Sequence, residues 1–149
     1  MEQLTLDVGI KEYNINGKAV LRFNPADPNV YERYISAIEK IDEIEKEMSE
    51  KAKKIKESDK DYSVKSLHLM READIKAKEI LSNIFGEGND MEQIFEGVNV
   101  MAVSTTGKRV IENFMDIIGP IIESGASNFI AQRVNEAMLN REQRRKMQK

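Results

Sequence analysis

The residues able to do chemistry gather in a few short stretches. The segment FGEGNDMEQIFEG, residues 85–97, holds three glycines, two phenylalanines and four carboxylates. Carboxylates beside glycine suggest a calcium loop. An EF-hand, however, needs oxygen ligands at alternating positions, glycine at the sixth and glutamate at the twelfth. Starting from Glu87, the fifth position is Met91 and the sixth Glu92, and no other register works. A dinucleotide fingerprint needs a third glycine where Met91 stands, and it should follow a strand rather than a helical pattern. A helix joint accounts for every residue. Gly86 or Gly88 ends one helix in a positive-φ conformation, and Asn89 caps the next with Glu92 as its capping-box partner.

The other candidates fail in the same concrete way. MAVSTTGKRV, residues 101–110, has the Gly-Lys pair of a phosphate loop. Ala102 stands where the first glycine belongs, and Arg109 where a magnesium-binding hydroxyl is needed. A polar loop before a helix starting near Lys108 is the simpler reading. His68 is the only histidine and the chain has no cysteine, so a zinc site lacks the several N or S ligands it wants and there is no thiolate nucleophile. The many carboxylates lie among lysines on helical patterns, where solvated ion pairs form. No catalytic constellation, metal site or cofactor site emerges.

The elements that would carry these residues read clearly. The chain has 149 residues, 40% hydrophobic, 33% charged and 6% aromatic, which fits one domain with a core of Ile, Leu, Val and Met. Residues 1–28 form a β-hairpin region. Asn16-Gly17 is set for a type I′ turn in KEYNI-NG-KAVLRF. A two-residue loop places Tyr13 opposite Val20 and Ile10 opposite Phe23, with Leu4 to Val8 as a possible third strand. Asp27-Pro28 starts a helix. Residues 29–85 then form a long helical hairpin. Its first helix shows a stripe of Tyr34, Ile38, Ile41, Met48, Ala52 and Ile55, with Glu45 in the gap. Its second runs from a Ser63 cap to Phe85, with Leu67, Met70, Ala73, Ala77, Ile80, Leu81 and Ile84 on the apolar face. Residues 86–140 suit three short helices, 91–103, 110–122 and 129–139, punctuated by Gly107, Gly119-Pro120 and Gly125. The fold class is therefore mainly α with a small N-terminal β-hairpin: a long helical hairpin followed by a short-helix C-terminal bundle.

Charge is uneven. Of 23 basic and 26 acidic residues, five and one lie in the tip REQRRKMQK, residues 141–149. That leaves 18 and 25 in the first 140 residues, a net −7 against +4. The acidic body argues against nucleic acid as a partner. No apolar run reaches the ~20 residues of a membrane span. The opening MEQLTLDVGI lacks a secretory signal pattern, so a cytoplasmic location is expected.

The segment 110–122 is apolar on more than one face, so Phe114, Ile118, Ile121 and Ile122 are the candidate contacts for a partner or a second copy. The order of parts is similar to a known family. INGKAVLRFNPADPNVYERY leads into a charged helical middle, then ILSNIFGEGNDMEQIFEGVNVM, then FMDIIGPIIESG. This arrangement over residues 10–125 resembles the tail assembly chaperones of long-tailed phages and prophages of Gram-positive bacteria. The resemblance implies a non-enzymatic scaffold that coats the long helical tape measure protein and helps recruit tail tube protein. It also implies a longer form made by frameshifting in many members. Two other classes fit the same residues: a helical oligomeric adaptor unrelated to phage, and a nucleic-acid-binding regulator using the basic tip. Homo-oligomerisation is expected of either helical reading.

Overall fold

The computed structural model of the chain describes residues 1–147. It is mainly helical with one N-terminal hairpin, the expected class. Strands β1 (Lys11–Ile15) and β2 (Ala19–Phe23) precede helices α1 (Pro28–Lys54), α2 (Tyr62–Phe85), α3 (Met91–Ile94) and α4 (Val110–Met147).

The Asn-Gly turn forms. Asn16 and Gly17 both have positive φ, and the Lys18 N–H donates to the Ile15 carbonyl at 3.1 Å. The ladder beyond it is displaced by one residue from the expected register. Ile15 faces Ala19, Tyr13 faces Leu21 and Lys11 faces Phe23, because Lys18 is an extra residue between turn and ladder. The physical reason is the core. The expected register splits the apolar side chains between two faces. The observed one gathers Tyr13, Ile15, Ala19, Leu21 and Phe23 on the inner face and leaves Val20 outside. No third strand joins among the described residues. Residues 1–10 have no regular secondary structure, and Leu4 and Leu6 are 92% and 82% exposed.

Asp27 caps α1 as expected, its carboxylate accepting from the Asn29 N–H at 2.9 Å with Pro28 in the first turn. Three lysines, Lys51, Lys53 and Lys54, occupy the last turn, where the helix dipole favours cations. The buried row is Val30, Tyr34, Ala37, Ile41, Ile44 and Met48. It corrects the expected stripe. Ile44 is buried where that stripe had Glu45, while Ile38 and Ala52 lie on the outside. The observed row alternates steps of four and three without a polar gap, which is what a seam against another helix demands.

The partner helix is α2, whose Ala73, Ala77, Leu81 and Ile84 face that seam. Leu67 is exposed rather than inward, and Leu69 lies beside Ile44 and Met48 instead. Helix α2 begins at Tyr62, with Asp61 rather than Ser63 preceding it. Gly86, at φ 82°, ends it, and its N–H donates to the Ser82 carbonyl.

The region after Gly86 differs most from expectation. Only the single turn α3 is helical before residue 110, and the rest of 95–109 is a run of turns that buries Phe95, Val100 and Met101. Beyond it, α4 is one helix of 38 residues, with Pro120 in its interior. The glycines expected to interrupt it serve close approach instead. A Cβ on Gly119 would stand 2.7 Å from the Tyr34 hydroxyl, and one on Gly125 would collide with the Pro25 carbonyl. Bare backbone there lets α4 lie across α1 and the 24–27 turn.

An aromatic chain joins all layers. Tyr13 stacks on Phe23 at 5.2 Å between ring centroids, Phe23 meets Phe85 at 4.9 Å, Phe85 meets Phe114 at 6.1 Å, and Phe114 meets Phe95 at 5.0 Å. Hairpin, α2, α4 and the 95–109 loop therefore share one core.

Candidate interaction surfaces

The 85–97 stretch is a joint in which Asn89, Asp90, Glu92 and Glu96 make contacts within the fold. Asp90 caps α3 by accepting from the Gln93 N–H, which corrects the expected Asn89 cap. Asn89 instead clips onto the outer edge of β2. Its amide oxygen accepts from the Arg22 N–H at 2.8 Å, and its amide nitrogen donates to the Arg22 carbonyl at 2.9 Å. Glu96 pairs with Lys18 at 2.7 Å beside the hairpin turn. That hydrogen bond holds the Glu96 carboxyl below its ordinary range and raises the Lys18 ammonium. Glu92 reaches Lys78, a buried lysine that also meets Asp74 at 3.2 Å. Asp74 in turn accepts from the Val100 N–H at 2.9 Å, so α2 holds the following loop by charge-assisted hydrogen bonds.

The 101–110 stretch is likewise closed on itself. The Ser104 hydroxyl donates to the Lys108 carbonyl at 2.7 Å and accepts from the Asn113 amide at 2.7 Å. The first amides of α4, which a phosphate would need, are taken. Val110 N–H donates to the Ala102 carbonyl and Ile111 N–H to the Val100 carbonyl, each at 2.9 Å. Lys108 pairs with Asp116. His68 is exposed on α2. Among the described residues no cluster of three His, Asp or Glu side chains is placed to hold a metal.

The four candidate partner residues do not form an open face. Phe114, Ile118 and Ile122 are core residues, the last fully buried, and Ile121 is partly covered. Their side chains serve the intramolecular core because α4 packs against α1, Phe85 and Phe95, which the apolar pattern alone did not reveal. Among the described side chains of α4, the large exposed apolar groups are Ile117, Ile130, Met138 and Leu139, each between 57% and 61% exposed. After Ile122 no described residue of α4 is buried. At 1.5 Å per residue, the part beyond Gly125 extends about 33 Å. Of the basic tip, residues 148–149 lie outside the described residues.

Two grooves flank α4. One, of about 330 Å³, lies against α1 and is lined by Tyr34, Ile38, Ile41 and Met115, with Asp42, Glu45, Lys108, Glu112 and Asp116 also at its walls. Burial raises the Tyr34 phenol above its ordinary pKa, aided by Glu123. The other, of about 630 Å³, lies between the open end of the hairpin and α4, lined by Tyr13, Pro25, Pro120 and Ile121 among others. Among the described residues no helix is long and apolar enough to cross a membrane. No protein-family model, curated protein or solved structure matches the chain.

Proposed function

We propose that the chain is a non-enzymatic tail assembly chaperone of the kind made by long-tailed phages and prophages of Gram-positive bacteria. In this reading it binds the tape measure protein through helical apolar surface and helps bring tail tube protein to it. The observation that supports this most is the outer half of α4, which carries Ile130, Met138 and Leu139 exposed, with no buried residue beyond Ile122 among those described. Apolar groups exposed along a long helix offer a surface that a partner helix can cover. A tape measure protein is a long helix, and an apolar stripe on one helix is the natural complement of another. The reading places the docking groups outward of Phe114, Ile118 and Ile122, whose burial reserves them for the fold.

Co-expression tests it. The intact tagged chain is expected to co-purify with the tape measure protein encoded with it. The Ile130→Asp/Leu139→Asp variant is expected to lose at least tenfold in affinity with an unchanged far-UV circular dichroism spectrum. Undiminished capture by that folded variant would remove the proposed face, and no capture by the native chain would remove the function.

A further inference from the structure

The segment preceding β1 is unaccounted for by the fold. Leu4, Leu6 and Val8 alternate with Thr5 and Asp7, the period of a half-buried strand, yet they are 92%, 82% and 55% exposed. Its exit is defined. The Asn24 amide donates to the Val8 carbonyl at 2.9 Å, and Gly9, at φ 72°, lies against the Asn24 side chain. The segment is thereby led past the end of β2 and away from its own β1. The sheet has only two strands, and Asn89 clips the outer edge of β2, so β1 offers the sheet's unpaired edge among the described residues. Beside Lys11 and Tyr13 lies the groove that runs to Pro120 and Ile121.

We infer that residues 3–8 pair as a strand with the β1 edge of a second copy of this chain and fill that groove with leucine side chains. The donor and the acceptor have matching needs. The donor lacks backbone partners and a place for its apolar face. The acceptor has a bare edge beside a partly apolar groove, and strand addition satisfies both. The apolar faces also set the register. The inward residues of β1 are odd-numbered, Tyr13 and Ile15, and the apolar residues of the donor are even-numbered. An antiparallel pairing with Leu4 opposite Ile15, Leu6 opposite Tyr13 and Val8 opposite Lys11 puts all of them on one face. Asp7 then stands opposite Glu12 on the solvent face, where Arg22 already pairs with Glu12 at 3.2 Å. A second copy is the occupant because only it brings both halves. A foreign strand on β1 would leave Leu4 and Leu6 of this chain in water. The inference does not depend on which larger partner α4 binds.

The test uses the full chain. Light scattering should give a multiple of the 17.1 kDa protomer mass. The Leu4→Asp/Leu6→Asp variant, altered where the side chains are solvent-exposed, should fall to the protomer mass with an unchanged circular dichroism spectrum. The chain has no cysteine, so singly substituted Asp7→Cys and Glu12→Cys proteins can be mixed with a short thiol cross-linker. Mass spectrometry should find a link from position 7 of one copy to position 12 of the other as the main product. A native chain at protomer mass across the concentration range overturns the inference. So does a multimer that survives Leu4→Asp/Leu6→Asp without the 7–12 link.

Discussion

Single residues decide how closely the elements approach, and Gly125 is the clearest case. A Cβ there would run into the Pro25 carbonyl, so a methyl group has no room. Gly125→Ala should cost about 2–4 kcal/mol despite the better helix propensity of alanine, since overpacking against backbone cannot relax by a rotamer change. Ser124→Ala, one residue earlier and exposed, should stay within about 0.5 kcal/mol. Urea denaturation midpoints compare the two. The Lys18–Glu96 pair carries a pH signature instead. The folded Glu96 carboxyl lies below its ordinary value of 4.5, so its contribution is present above that value and is lost as pH falls through the lower, folded one. The stability gap between the native chain and Glu96→Gln should therefore be open at pH 7 and narrow below pH 4.5. A gap that widens on acidification would contradict the pairing. Both groups are solvent-exposed, so the gap is small at any pH.

Elements follow from local signals where those signals act alone. Asp27-Pro28 opens α1, Asn16-Gly17 turns the hairpin, and Gly86 closes α2, each by backbone chemistry within a few residues. Position in space was legible only in part. The seam of α1 lies one residue aside from the expected stripe at Ile44, and the Glu45 gap in that stripe was the available sign. The hairpin register was also within reach, since only the one-residue displacement collects Tyr13, Ile15, Leu21 and Phe23 on a single face. The continuity of α4 was not legible. Gly119, Pro120 and Gly125 have breaker identities, and their role in close packing exists only once α1 and the 24–27 turn lie against them. Pro120 is exposed and leaves the Asp116 carbonyl without its helical donor. Pro120→Ala should restore that hydrogen bond and raise stability by about 1–2 kcal/mol, read as a higher Tm. A fall in Tm would mean that the proline ring contributes packing that outweighs the missing bond.

At the scale of the molecule, the sequence patterns suited a core and a docking face equally well. Phe114, Ile118 and Ile122 have the composition of either, and the fold uses them inside. Among the apolar residues left outside are those of the second half of α4 and of the segment before β1. In the joint at 85–97 and the loop at 101–110, Asn89, Asp90, Glu92, Glu96 and Ser104 make contacts within the fold, and the proposed docking role rests on the apolar residues outside. Hydrogen–deuterium exchange on the intact chain, with and without the tape measure protein, tests this most directly. The account predicts new protection over residues 126–139 on binding, with amides 111–122 protected equally in both states. Protection confined to the 85–110 region, with 126–139 unchanged, would contradict it.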